Sequence, residues 1–213
     1  MFANCRKNRR SSYISQKVMV LPGKDMSSIQ EIKKKVVMVG DPAVGKTSLI
    51  NRFVSSVFGD EYLSTIGTKI TKKIVRVQNK NRKKGIFGFK GPEHYELNMS
   101  IWDVAGQKTF IKIADSYYRG AKGALVVCDL TRRESLDNLP KLIADVKRVA
   151  GPIPIVVCGN KSDLAGQLKF GSTEIARTAL PHGATYYLTS AKTGANVERA
   201  FKDLAQAMVK DAE

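Results

Sequence analysis

The feature that most constrains this chain is the passage from "KKKVVMVG" into "GDPAVGKT", the latter running from Gly40 to Thr47. A short apolar, β-rich run ending in Gly reads as a buried strand. The spacing G-x-x-x-x-G-K-T follows it directly, and "KTSLINRFVSS" comes next with Leu49, Ile50, Phe53 and Val54 at helical spacing. Strand, Gly-rich loop and helix in that order make a phosphate cradle. Backbone N–H groups of the loop and of the helix N-terminus converge on an anion. The run Asp41, Pro42, Ala43, Val44, Gly45, Lys46, Thr47 and Ser48 is therefore a candidate nucleotide-binding segment. In it Lys46 reaches the β- and γ-phosphates, and the Thr47 hydroxyl can ligate Mg²⁺.

The rest of the chain alternates strands and helices. "TKITKKIVRVQ" alternates Ile70, Ile74 (after one slip), Val75 and Val77 with basic residues, the pattern of a strand with one solvated face. "YELNMSIWDV" alternates again, so residues between them form the turn of a long β-hairpin. Strand "GALVVCDL", a helix from Ser135 to Val149, strand "PIVVCGN", a helix near Thr173–Ala179, strand "ATYYLTS" and a helix over Asn196–Val209 follow. This is an α/β pattern built on a mostly parallel sheet. The 213 residues suit one domain plus an extension, and 43% apolar residues can fill one core.

Three further segments carry chemistry. "WDVAGQ" places Asp103 at a strand end, where it can hold Mg²⁺ through water, and Gly106, whose N–H can meet a γ-phosphate. "GNKSD" contains Asp163, a carboxylate that can accept from both N1–H and N2–H₂ of guanine. Adenine offers no such pair of donors and would leave it unpaired. Asn160 can bond the base and tie it to the phosphate loop, and the stem of Lys161 can cover one ring face. "TSAK" supplies Ser190 and Ala191, whose backbone N–H groups can meet the guanine carbonyl, with Lys192 beside them. Four elements in this order, each just after a strand, point to GTP/GDP as ligand. They cluster at the carboxyl ends of the strands, where open α/β sheets bind ligands.

On these motifs the sequence resembles the Ras superfamily of small GTPases over roughly residues 33–210, and is most similar to its Rab branch. "YLSTIG" (Tyr62–Gly67) resembles the Rab switch I, "WDVAGQ" its switch II, and "SYYRGAKGALVVCDLT" a Rab-like continuation. The resemblance implies a P-loop GTPase (Ras-like) fold: six strands, mostly parallel with one antiparallel, and helices on both faces. It implies that Thr65 ligates Mg²⁺ and contacts the γ-phosphate, that Phe58 packs on the guanine, and that Gln107 orients the attacking water. Catalysis would rest on Gln107, Lys46 and Thr65, and the metal on Thr47, Thr65 and Asp103. Ile70, Trp102 and Tyr117 would form an apolar effector patch, against the plain alternative of core packing. Exchange factors, activating proteins and effectors are the implied partners, and a switch in membrane organisation or trafficking the implied role. Slow intrinsic hydrolysis follows, since no Arg lies between Phe53 and Thr65 to act as an internal finger.

Departures from the family pattern carry their own expectations. Pro42 stands where Ras has Gly and Rab proteins commonly have Ser; it lacks an N–H and crowds the γ-phosphate side, against an incoming arginine finger. Ala43 replaces a Gly and narrows the freedom of that turn. Lys108 replaces the usual Glu, and "IGTKI" replaces "IGVDF". No Cys lies near the end "MVKDAE", so prenylation is not expected.

Charge adds a second theme. The net charge is +17, but residues 1–35 hold nine basic residues against two acidic, and residues 66–92 hold nine against none. The remainder is balanced, with eighteen against seventeen. Residues 1–32 read as a basic flexible tail and 33–213 as the GTPase domain, with a basic hairpin insertion at about 79–92. In the insertion, "NRKKGIFGFKGP" sets Ile86, Phe87 and Phe89 among cations. Both basic segments should leave from the pole opposite the nucleotide. The expectation is docking of Arg82–Lys90 and the N-terminus on an anionic membrane surface. The plain alternative is a hairpin packed on its own tail or helix. Nucleic acid is not expected as partner, because two Phe make a poor stacking platform and no separate RNA-binding domain is present. An RNA- or ribosome-associated GTPase and a poorly hydrolysing scaffold are the competing functions. A cytoplasmic monomer, peripheral on the cytoplasmic face of a membrane, is expected, with a transit peptide ranked lower. Cys128 and Cys158 lie in buried-strand patterns and read as small hydrophobes, while Cys5 beside "RKNRR" is a weak candidate for palmitoylation.

Overall fold

A computed structural model describes residues 29–55, 68–79, 93–104 and 114–210. The elements are β1 (Gln30–Gly40), α1 (Lys46–Ser55), β2 (Thr68–Gln78), β3 (His94–Val104), α2 (Ala114–Tyr118), β4 (Gly123–Asp129), α3 (Arg133–Asp137) and α4 (Leu139–Ala150). They continue with β5 (Ile155–Asn160), α5 (Ser172–Ala179), β6 (Thr185–Leu188) and α6 (Val197–Lys210). The six strands form one sheet in the order β2-β3-β1-β4-β5-β6. Only the β2–β3 pair is antiparallel; β1 pairs parallel with β3 and β4, β4 with β5, and β5 with β6. The central strands β4 and β5 are buried along their whole length, as a parallel strand covered on both faces must be.

Alternation along β1, β3 and β4 divides the core. On one face Val36, Met38, Leu97, Met99, Ile101, Leu125 and Val127 pack with α1 and α6. There Phe53 of α1 stacks on Phe201 of α6, ring centroids 4.0 Å apart and nearly parallel. On the other face Val37, Val39, Val126 and Val157 pack with Leu139, Ile143 and Val146 of α4 and Ile175 of α5. Cys128 and Cys158 are fully enclosed; burial pushes the Cys128 thiol up to about 12 and the Cys158 thiol further, so neither is a nucleophile.

Three boundaries differ from the sequence reading. β1 starts at Gln30, inside the expected tail, because β3 is long enough to pair Gln30 with Tyr95. The helix expected over Ser135–Val149 is two pieces meeting at Asn138, since Pro140 has no N–H to give to the preceding turn. The apparent slip in β2 is not a bulge: its register with β3 runs unbroken from Thr68↔Val104 to Gln78↔His94. Val75 and Val77 face the core, whereas Ile70 and Ile74 lie on the other face, about half exposed at 50% and 59%.

Candidate functional site

The phosphate loop leaves β1 at Gly40, whose φ of 153° lies at the edge of what L-residues adopt. A Cβ there would sit 2.3 Å from the Val127 carbonyl oxygen, so the loop starts hard against β4. Val44 is fully buried and pins the middle of the loop. Ala43 and Gly45 both have positive φ, 62° and 96°. Successive amides in such a turn point the same way, into the concavity that receives an anion. The expected loss of freedom at Ala43 is thus visible as an L-residue held in the left-handed region.

Lys46 opens α1 and lies back across this loop. Its Nζ donates to the Gly40 and Asp41 carbonyls, each at 2.8 Å. Burial lowers its pKa to about 8, opposed by the carboxylates of Asp103 and Asp41 and reinforced by the Arg132 cation. A buried ammonium whose hydrogen-bond partners among the described residues are carbonyl oxygens is poised for an anionic partner. Next to it the Thr47 hydroxyl donates to Asp103 Oδ2 at the end of β3. Asp103 Oδ1 is buried without a hydrogen-bond partner among the described residues. Burial raises the Asp103 pKa, against the pull of Thr47 and Lys46. One hydroxyl and one carboxylate with an unused oxygen form a hard-oxygen set that suits Mg²⁺, an ion that keeps several waters.

The base end is built from the ends of β5 and β6. Asn160 is 1% exposed, and its Nδ2 donates to the Val44 carbonyl at 2.9 Å. Its Oδ1 accepts from the Ala191 N–H at 3.2 Å. Lys161 is left-handed, with φ 67°. Its Nζ lies 2.6 Å from Asp129 Oδ2, so the stem is held along the rim of the site. The Ser190 hydroxyl donates to Asp163 Oδ1 at 2.5 Å, and so orients that carboxylate.

The structure therefore brings together Asp41 through Ser48, Asp103, Asn160, Lys161, Asp163, Ser190 and Ala191. Lys192 is exposed, and its backbone carbonyl accepts from Arg52 of α1. Phe58, Thr65, Gly106 and Gln107 lie outside the described residues, as do Lys108, Cys5 and the Arg82–Lys90 loop. Two backbone roles need correction. The Ser190 N–H bonds the Ala195 carbonyl at 3.1 Å, closing the local turn, and Ser190 meets the site through its hydroxyl; the Ala191 N–H is likewise engaged, by Asn160 Oδ1 at 3.2 Å. Of the residues expected to form an effector patch, Ile70 is opposite Trp102 across the β2–β3 register. Trp102 and Tyr117 are half-buried against the second core, and Lys35 Nζ sits 3.8 Å from the Trp102 ring centroid.

Four polar residues of the site were not singled out in the sequence. Asp129 ends β4 and accepts from the Thr131 N–H and hydroxyl. Arg132 Nη2 donates to the Pro42 carbonyl at 2.7 Å, and Asn138 Nδ2 to Asp41 Oδ2 at 2.9 Å. Arg52 Nε donates to the Ala191 carbonyl at 2.8 Å. A carboxylate at the end of an apolar strand, in "VVCDLT", was the available signal for Asp129; the others depend on how loops meet in space.

Comparison with known proteins agrees with this geometry. The Ras family profile matches residues 35–210. The chain is 36% identical over 168 residues to the Ras-related protein Rab-4 of Dictyostelium discoideum, covering 78% of this chain and 75% of that one. It is 35% identical over 189 residues to Rab-4A of Danio rerio (88% and 82% covered). It is 34% identical over 173 residues to Rab-13 of Canis lupus familiaris (81% and 78%). The chain belongs to the Ras family as a Rab-like small GTPase, a GTP-binding and GTP-hydrolysing molecular switch of membrane trafficking.

Proposed function

We propose that nucleotide binds across the joined loops, with its phosphates on Asp41–Ser48 and its guanine on Asn160, Lys161, Asp163, Ser190 and Ala191. The observation that carries this is the Asn160–Val44 hydrogen bond of 2.9 Å, which places base reader and phosphate loop in one rigid unit. Asp163 accepts the two guanine donors, and the carboxylate's orientation by Ser190 makes the pair geometrically selective. Thr47 and Asp103 would hold Mg²⁺, with Thr65 completing the set in the GTP state, and the ion would supply positive charge to the phosphates.

This chain's own residues then have little covalent work to do. Lys46 exchanges its two loop carbonyls for phosphate oxygens, and Gln107 aligns water for in-line attack. Intrinsic turnover is slow, on the order of 10⁻⁴ to 10⁻³ per second, as for enzymes of this type without an arginine finger. Thr65 and Gly106 give up their γ-phosphate contacts on hydrolysis, which is the switch. Titration with fluorescent GDP and ADP, followed by single-turnover hydrolysis of GTP, tests the reading. Gln107→Leu should keep GTP affinity and slow hydrolysis at least about tenfold; unchanged turnover removes Gln107 from the reaction.

A basic membrane-docking pole is the finer part of the proposal. Gln78 pairs with His94, and the Asn79 N–H bonds the Glu93 carbonyl, so residues 80–92 depart from the sheet end opposite the phosphate loop. β1 begins at that end, and Gln206 of α6 donates to the Gln78 carbonyl at 2.8 Å. The start of β1, the Gln78–His94 end of the hairpin and Gln206 of α6 thus lie toward one end of the sheet. Exchange factors, activating proteins and effectors would engage the opposite, nucleotide-bearing end.

A further inference from the structure

Asp129 stands between the two loops that hold the nucleotide, and the roles described so far leave it unused. It is 1% exposed, at the carboxyl end of the central strand β4. Its Oδ1 is occupied locally, by the Thr131 N–H at 3.0 Å and hydroxyl at 2.7 Å. Its Oδ2 is buried, without a hydrogen bond of regular geometry among the described residues, and is approached by two cations from different segments. Lys161 Nζ approaches at 2.6 Å from the base-reading loop. Arg132 Nε approaches at 3.4 Å, and the same guanidinium donates through Nη2 to the Pro42 carbonyl at 2.7 Å. Pro42 has no N–H, so its carbonyl is the one backbone hydrogen-bonding group by which that residue can be gripped.

We propose that Asp129 is a positioning residue that couples the phosphate loop to the base-reading loop, through the chain Pro42–Arg132–Asp129–Lys161. The proposal rests on the reading of those two loops as the nucleotide site. A buried carboxylate is tolerated because both cations compensate it. Loss of either cation therefore raises the cost of the other's placement. An ordered Pro42 fixes Arg132, which leaves Asp129 Oδ2 directed at Lys161, whose left-handed backbone needs such an anchor. Phosphate binding at one end and base binding at the other consequently assist each other. This link runs parallel to the Asn160–Val44 bond and uses different residues. Burial works against the charge on Asp129, yet the bonds from Lys161 and Thr131 hold its pKa below the usual carboxylate value, so the link is charged at neutral pH.

Release of fluorescent GDP and of fluorescent inosine diphosphate, which lacks the exocyclic amine, tests this on the full chain in Mg²⁺. Asp129→Asn should release GDP about tenfold faster or more, since charge-assisted contacts are lost at both ends. Arg132→Ala should release it a few-fold faster. The double variant should release GDP within about twofold of Asp129→Asn alone, because both changes cut one chain. Arg132 is paired with Pro42 and Asp129 and with no base-reading residue, yet Arg132→Ala should lower the ratio of inosine to guanosine nucleotide release rates about threefold. That ratio is a base-end property, and a purely local role would not move it. Should Asp129→Asn fail to fold, the Arg132→Ala ratio decides alone. Multiplicative double-variant effects, or an unchanged ratio, would overturn the proposal. Asp163→Ala serves as control. If it too leaves GDP release unchanged, the nucleotide-site reading falls and takes the proposal with it.

Discussion

Gly45→Ala probes whether the phosphate and base loops are one mechanical unit. Gly45 has φ 96°, and a Cβ there would lie 2.3 Å from Asn160 Nδ2. Two costs follow. A left-handed L-residue costs about 1–2 kcal/mol, partly offset by about 0.4–1 kcal/mol from a less flexible unfolded chain. The Asn160 amide must also swing away from the Val44 carbonyl, and a buried acceptor left unpaired costs about 1–3 kcal/mol. The expected sum is about 1–4.6 kcal/mol, with its middle near 3. At roughly 2–4 °C per kcal/mol for a chain of this size, Tm should fall by about 5–15 °C. Gly183→Ala is the matched control, with φ 66° and nothing within 4 Å of the added Cβ. It bears the backbone cost alone, about 1 kcal/mol, and should leave nucleotide affinity unchanged. The assay is thermal unfolding with and without GDP, beside GDP titration. Gly45→Ala should weaken GDP at least about a hundredfold, because Asn160 serves base and loop together. A Tm loss no larger than that of Gly183→Ala, or unchanged GDP affinity, refutes the reasoning.

Two further outcomes follow from the site. Asp163→Asn replaces one acceptor with an amide donor. It should cost GDP about 10²–10⁴ in affinity and favour xanthosine diphosphate, whose ring presents a carbonyl at that position; equal affinities for the two in a competition titration would contradict the pairing. Lys46 has a pKa of about 8 without an anion, and phosphate must raise it. Affinity is then full below about pH 8 and falls toward tenfold per pH unit above it, as a proton must be taken up on binding. GDP titrations in EDTA from pH 7 to 10, flat throughout, would refute this.

How much of this was legible in the sequence depends on the range of the interaction. The phosphate loop, the strand ends bearing Asp103 and Asn160, and β2 and β3 are local patterns, and the structure has them where the motifs put them. Alternation identified β2 but not the separate faces of Ile74 and Val75, because both are apolar and adjacent; only the neighbouring β3 distinguishes them. Pro140 announced a break that helical spacing around it concealed. The N–H groups of Ser190 and Ala191 were read as available, but whether they are depends on a turn closed by Ala195 and on the Asn160 side chain. Asp129, Arg132 and Asn138 matter only because the loop after β4 lies against the loop after β1, a meeting fixed by strand order and not by spacing.

The strand lengths also set what the two ends of the molecule can tell each other. β1 and β3 each span eleven residues, about 35 Å between the phosphate loop and the basic pole. The Debye length is about 8 Å at physiological ionic strength, so the charge of a γ-phosphate is screened before it reaches the pole. The β2–β3 pairing is continuous over eleven residue pairs, and Val75 and Val77 are locked in the core at 5% exposure. Passing a signal along this hairpin would require a register shift, and a shift of one residue would turn both valines out to solvent. At roughly 1.5–3 kcal/mol for each buried Val, that costs about 3–6 kcal/mol. The docking proposed for the basic segments should therefore be indifferent to nucleotide. Co-sedimentation with anionic vesicles should give partition coefficients within about twofold for the GDP- and GTP-analogue-loaded forms. A difference above tenfold would mean that β2 and β3 move, and the hairpin would become part of the switch.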